Sequence, residues 1–451
     1  MRDIAIIVII LGSIPVILAR PYTGIMMWCW ISYMNPHKLT WGFAYSMPFA
    51  AMIAIAVLVG TLFSREPKRI PLTPVTLLLI AFIAWMSITT IFAMQPEDAF
   101  ETLKRVYKIQ LMTFMTLLLM YTKERVDYLV WTIVVSLGFF GIKGGVFTLA
   151  TGGSYIVWGP PDSFVEGNNE LALALLILIP LVNYLRLTVG NRRLKLALAG
   201  SMGLMAISAI GSQSRGALVA ILSVGFWYWL KTKSKLATGI MAVFFAAIIF
   251  IIMPISWHDR MSTIQDYEQD GSAMGRINAW WTGFNVARDR IFGGGFEFWT
   301  MKAFAVYAPN PNDFHDAHSI YFEVLGEHGF IGLVIFLAIA LSGLLTAGWI
   351  TKKTRNVKEL AWADCLARNC SASLVAYWSG GAFLGLAYYD LYYHIIAILV
   401  LTADIVKRDL NKLASVKTST DGMQVPAKVQ GDGESLARDF VRPVRDKIRK
   451  Y

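Results

Sequence analysis

Apolar residues run through most of this chain in uninterrupted blocks, not in alternation. Such blocks read as helices, and many are near the length that crosses a bilayer. They also argue against barrel strands, whose lipid-facing and lumen-facing positions alternate. Spans are expected over 4–19, 21–36, 43–63, 73–94, 108–121, 129–150, 168–188, 194–212, 215–230, 236–255, 330–350, 360–382 and 384–405. Arg20-Pro21 splits the first two, so residues 1–36 form two spans or one broken, partly re-entrant element. The expected fold class is an all-α polytopic membrane protein with about 12 or 13 spans. Ten helical elements occupy residues 1–256, a polar block fills 257–329, the last two or three helices cover 330–405, and a tail follows from 406.

One segment breaks the pattern. In residues 96–108 (PEDAFETLKRVYK), Phe100, Leu103, Val106 and Tyr107 recur near helical spacing among charges. That is the pattern of an amphipathic helix lying on a membrane surface. No internal repeat is visible.

Composition supports the membrane class. The 451 residues are 56% hydrophobic and only 16% charged, with a mean hydropathy of +0.53. The net charge of +11 suits nucleic acid in principle, but the cations sit in short loops between apolar blocks. Arg65, Lys68 and Arg69 form one group; Arg192, Arg193 and Lys195 another; Lys231, Lys233 and Lys235 a third; Lys352, Lys353, Arg355 and Lys358 a fourth. This is the positive-inside pattern, so these loops are expected in the cytoplasm and no nucleic-acid partner is expected. The segment 152–168, free of Lys and Arg, and the block 257–329 then face outward. The tail 406–451 is basic and aperiodic, and reads as a largely disordered cytoplasmic extension in reach of anionic lipid. The first apolar run lacks a small-residue cleavage site and reads as a retained anchor. Cys29, Cys365 and Cys370 lie in or near apolar stretches, which makes a disulfide framework unexpected.

The chemistry concentrates in 257–329, too long for a mere connector. It holds His258, His315, His318 and His328, four of the six histidines. Its end, HDAHSIYFEVLGEHGFIGL, puts His318 about three turns above the membrane on a helix, with Glu323 and Glu327 on neighbouring faces. Its middle supplies Arg276, Arg288 and Arg290 and a turn-forming cluster, Gly293–Gly295. Arg215 comes from a separate short turn, GSQSRGA at 211–217. A charge so near the membrane needs a partner, and guanidinium matches phosphate or carboxylate. Together, arginines can hold a lipid-linked diphosphate and stabilise its leaving charge, while a histidine takes a proton from an attacking hydroxyl.

Each residue also has a plainer reading. Arg215 can anchor a helix end by snorkelling, and His318 can be a hydrogen-bonded interfacial histidine. His315-Asp316-Ala317-His318 has the residue types of a metal site, but the pattern specifies no third ligand and no metal is expected. His258, His328 and Glu327 are more often structural. Tyr388, Tyr389, Asp390, Tyr392, Tyr393 and His394 form a polar-aromatic cluster near the last outside turn; an aromatic belt explains most of it, with sugar stacking as the alternative. His315, Arg290, Glu327 and Tyr389 therefore rank as secondary candidates.

The motifs resemble those of the O-antigen ligase family, shared with O-antigen polymerases and bacterial protein O-glycosylation ligases. His318-Ser319, then residues 320–328, then Gly329-Phe330-Ile331-Gly332 is similar to its signature. Ser214-Arg215-Gly216, Gly275-Arg276 followed by Trp280, and Ile291-Phe292-Gly293-Gly294-Gly295 also resemble its pattern. The likeness is good over 195–350; the first 190 residues match in topology and Pro/aromatic character, closest to ligase variants linked to exosortase-type systems. The resemblance implies a GT-C-like fold of about 12 spans with a large helical periplasmic loop. It implies an inverting, metal-independent glycosyltransferase of the Gram-negative inner membrane, without cofactor. The donor would be an undecaprenyl-diphosphate-linked glycan and the acceptor a sugar of lipid A–core. His318 would be the general base, Arg215 and Arg276 would bind the diphosphate, and Arg288 would be a weaker candidate. Polymerase and protein O-oligosaccharyltransferase are alternatives. A lipid-linked glycan transporter is the non-enzyme reading, against which stand the missing repeat and the gathering of ionisable residues at one face.

Overall fold

The computed structural model describes residues 2–232, 234–255, 257 and 271–421. Lys233, His258 and most of the expected tail, 422–451, lie outside the described residues. Among those described the chain is all helical, without a strand. The helices are α1 (Arg2–Ala19), α2 (Tyr22–Met34), α3 (Phe49–Phe63), α4 (Pro74–Ile91), α5 (Pro96–Leu119), α6 (Lys123–Ala150), α7 (Asn168–Thr188) and α8 (Arg192–Gly211). They continue as α9 (Arg215–Lys231), α10 (Lys235–Ile252), α11 (Gly271–Asp289), α12 (Met301–Tyr307), α13 (Ile320–Thr354), α14 (Ala361–Gly381) and α15 (Asp390–Asp421). Polar side chains start many of them. Thr73, Thr122, Asn191, Ser214 and Thr300 each accept a backbone N–H of the first turn, of α4, α6, α8, α9 and α12 respectively, satisfying donors that a helix start leaves open.

Among the described residues, α1, α4, α6, α7, α8 and α13 are long and apolar enough to cross a bilayer, and α3 and α9 are apolar but shorter. The protein is a multi-pass membrane protein. Residues 1–36 form two helices separated at Arg20-Pro21. The second has 13 residues, about 20 Å of rise, which is short of a full crossing. Large apolar side chains such as Leu62, Phe63, Leu222 and Val243 stand exposed, as lipid-facing residues do.

Residues up to Lys407 form one compact unit. α7, apolar nearly all round, is its most enclosed crossing helix. It packs on α8, α9 and α14, while α13 packs on α4, α11 and α14. These contacts bring the start of α9 and the start of α13 into one neighbourhood.

Three expectations are corrected. The surface helix 96–108 and the span 108–121 are a single helix, α5, because the buried stripe Ala99, Leu103, Val106, Ile109 continues in phase into Met112 and Thr116. The last helix runs past 406 to Asp421, through good helix formers and an Asp409–Lys412 ion pair. The helix expected from 330 starts at Ile320 and breaks at Gly329, whose φ of 67° and ψ of −174° only glycine adopts readily. The break frees the carbonyls of Gly326 and Glu327, which accept from the amides of Gly294 (2.8 Å) and Gly295 (2.9 Å). The Trp85 indole donates to the carbonyl of His328 at 2.8 Å. The glycine cluster therefore does more than turn. It docks on the broken helix and satisfies it.

Candidate active site

Arg215 is the first residue of α9, after the tight turn 212–214. Gln213 there has a φ of 56°. The turn is pinned by Asn168, which donates to the carbonyl of Ser212 at 2.8 Å, and by Gln213, which donates to that of Gly153 at 3.2 Å. Ser214 caps the helix by accepting from Ala217 N–H at 3.1 Å. Arg215 thus adds its charge to the positive end of a helix dipole.

Arg276 lies in the second turn of α11. With Arg215 it lines a cavity of about 300 Å³, whose other walls are Gly216, Val219, Ala273, Ile277, Trp280 and Phe383. Two guanidinium groups, one from each side of a gap of some sixty residues in the chain, meet in an otherwise apolar pocket. Such a pocket suits an anion attached to an apolar body.

α11 also frames the segment leading to His318. Asn278 donates to the carbonyls of Asn310 (2.9 Å) and Asp313 (2.8 Å) and accepts from the amide of Asn310 at 2.9 Å. Asn285 donates to the carbonyl of Tyr307 at 2.8 Å. Trp280 donates to the carbonyl of Ala317 at 2.7 Å and stacks on Phe322 at 5.0 Å and 6°. Asn278 and Asn285 carry no sequence signal, since their partners lie far along the chain and leave no local pattern.

His318 is not on the helix, as its spacing suggested. It precedes the α13 cap residue Ser319 with a φ of 41°, a left-handed conformation costly for a side-chain-bearing residue. It is half-buried. Burial pushes its pKa below the ordinary histidine range, the positive charge of Arg276 lowers it further, and Asp316 opposes the shift. The imidazole is therefore neutral near pH 7 and able to take a proton.

Residues 200–337 match the model of the O-antigen ligase family, and residues 1–189 match that of a family of unknown function. No curated protein matches the chain. Residues 200–337, less than half of the chain, are thus similar to an O-antigen ligase domain. α9, α11, His318 and the Gly329 break all fall inside that domain. That match supports a ligase- or polymerase-type role in glycosyl transfer for O-antigen handling.

The other expected residues take separate places. Arg288 is exposed, bonded to its neighbour Asp289 at 3.3 Å, and is not among the cavity's lining residues. Arg290 donates to the carbonyls of Gly293 (3.0 Å) and Phe92 (2.7 Å), holding the glycine turn against the end of α4. His315 pairs with Asp313 at 2.9 Å. Its ring lies over Gly275, where a Cβ would come within 2.2 Å of it, so the glycine before Arg276 makes room for that ring. Glu327 is buried and accepts from the Tyr388 hydroxyl at 2.5 Å. His328 is buried against Thr89 at 2.7 Å and Phe296. Tyr389 packs on Tyr33 and Phe164, in the polar-aromatic cluster with Asp390 and His394. Among the described residues no three His, Cys, Asp or Glu side chains gather as metal ligands would.

Proposed function

We propose that this protein transfers a glycan from undecaprenyl diphosphate to a sugar of lipid A–core at the periplasmic face of a Gram-negative inner membrane. One observation carries the reading: Arg215 and Arg276 share an apolar-walled cavity, and the charge of Arg276 reaches His318. Neutral His318 accepts the proton of the acceptor hydroxyl. The oxygen attacks the anomeric carbon as the bond to the diphosphate oxygen breaks, and a single displacement inverts that carbon. Arg215 and Arg276 stabilise the charge that gathers on the leaving diphosphate. The apolar walls take the start of the prenyl chain. The lipid diphosphate carries its own driving force, so no nucleotide is needed, and the two guanidinium groups take the charge-neutralising part that a metal ion would otherwise play.

The test is reconstitution in detergent with a lipid-diphosphate glycan, offering lipid A–core, a second lipid-linked repeat and a Ser/Thr peptide as acceptors, with and without chelator. Transfer to lipid A–core that His318→Ala abolishes supports the ligase; full transfer by His318→Ala overturns the mechanism. Transfer only to a lipid-linked repeat or to peptide replaces the ligase by a polymerase or a protein glycosylation enzyme. Transfer by purified protein without a gradient excludes transport as the primary role.

A further inference from the structure

The helices that begin at the site end at a second cavity. α9 starts at Arg215 and carries Trp227 and Tyr228 near its C-terminus, about 18 Å further along its axis. α13 starts beside His318 and carries Gly348 and Lys352 near its other end, with Arg355 just beyond. These residues, with Arg368 of α14, line a cavity of about 670 Å³, more than twice the volume of the one between Arg215 and Arg276.

Its walls are graded. Along α13 the lining passes from Leu344, Ala347 and Gly348, facing the same cavity as Trp227 and Tyr228 of α9, to Lys352 and Arg355 one to two turns further on; the apolar stretch is termed the floor and these cations, with Arg368, the rim. Arg368 is held by both carboxylate oxygens of Asp364 at 2.9 Å, which neutralises that pair. Lys352 and Arg355 are exposed and set the charge of the rim. A Cβ built on Gly348 meets nothing within 4 Å, so the floor is open there. A soluble anion would need only the rim; an apolar floor under a cationic rim fits an amphiphile with a phosphate head.

We propose that this cavity binds an anionic phospholipid from the leaflet at that face, its phosphate against Lys352 and Arg355 and an acyl chain over Gly348. The proposal is independent of the glycosyl-transfer reading. Native mass spectrometry of the full chain in detergent tests it, with phosphatidylglycerol, phosphatidylcholine or inorganic phosphate as probe. Phosphatidylglycerol should stay bound where phosphatidylcholine does not, and the Lys352→Gln/Arg355→Gln double variant should retain it about tenfold less. Gly348→Leu fills the floor and should reduce retention with an unchanged melting temperature; if that variant does not fold, the double variant decides alone. Equal retention of the two lipids, or wild-type retention by the double variant, overturns the proposal. So does displacement of phosphatidylglycerol by millimolar inorganic phosphate, which would make this a site for a soluble anion.

Discussion

The indole nitrogen of Trp280 donates to the carbonyl of Ala317 at 2.7 Å, tying the helix that carries Arg276 to the backbone that presents His318. His318 needs that tie because its φ of 41° is unfavourable without surrounding support. Trp280→Phe keeps a ring for the stack on Phe322 and deletes the hydrogen bond. A bond worth about 1–1.5 kcal/mol, felt when the base is aligned, predicts a fall in kcat of about tenfold. KM for the lipid-linked donor should stay within about twofold, because the arginines that bind it are untouched. Wild-type kcat would mean that the base is positioned by other contacts.

The arginines should separate sharply. Arg215 and Arg276 share the cavity, whereas Arg288 is exposed and pairs with its neighbour Asp289. Replacing Arg215 or Arg276 by Ala should lower kcat/KM by about a hundredfold or more, as expected when a preorganised donor to leaving-group charge is removed. Arg288→Ala should change it by less than about threefold. Transfer assays on the three variants at matched folded protein check this, and a hundredfold loss for Arg288→Ala would move the anion site out of the cavity.

The acid limb of the pH profile should report His318. The base works neutral, and burial together with the charge of Arg276 holds its pKa below the ordinary range. The limb in kcat/KM should therefore lie below pH 6.5, the usual histidine value. Arg276→Gln removes a positive charge that disfavours imidazolium, so the pKa should rise and the limb move to higher pH. The same sign holds for stability: a depressed histidine pKa contributes stability above the unfolded value, and that contribution is lost as pH falls. A limb that stays in place in Arg276→Gln would show that the two groups are not coupled.

Local contrast decided what could be read from the chain. Arg215 stood out because a lone cation between apolar blocks is costly, and Arg276 because a motif followed it. Pocket mates such as Phe383, and the loop-binding Asn278, were silent, since their roles arise from contacts between distant segments. Charge misled in α5, where Lys104, Arg105 and Lys108 suggested a separate surface helix although the buried stripe runs on unbroken. The position of His318 is hidden for a related reason: helical spacing fits the residues back to 318, but the helix starts only at Ile320, after its cap Ser319. The break at Gly329 was marked only by a glycine in an apolar run, and a positive φ leaves no other trace in sequence.

That glycine gives a stability prediction. A Cβ at position 329 would come within 2.5 Å of the carbonyl oxygen of Ile291, and the backbone there has a φ of 67°. Gly329→Ala adds a contact that backbone must yield to and a conformation that L residues avoid, at a cost of about 1–3 kcal/mol. The melting temperature in detergent should fall. Because the shift would loosen the Gly294 and Gly295 bonds to α13, the glycine turn should also become more open to proteolysis. An unchanged melting temperature would mean that the break is adaptable.

The buried pair Glu327–Tyr388 separates support of the fold from chemistry. The Tyr388 hydroxyl donates to the Glu327 carboxyl at 2.5 Å, and both side chains are buried. Tyr388→Phe leaves a buried carboxyl with one donor fewer, which should cost about 1–3 kcal/mol. Glu327→Gln keeps an oxygen that can accept the same hydroxyl and should cost less. The combined Tyr388→Phe/Glu327→Leu variant removes both polar partners and should recover much of the loss, since a buried polar pair replaced by apolar groups of similar size is often near neutral. The order of melting temperatures tests this: wild type, then Glu327→Gln, then the double variant, with Tyr388→Phe lowest. Transfer per folded molecule should be nearly the same in all four, because neither side chain lines the cavity of Arg215 and Arg276. Loss of transfer in Glu327→Gln at an unchanged melting temperature would instead give the carboxyl a part in moving the proton that His318 collects.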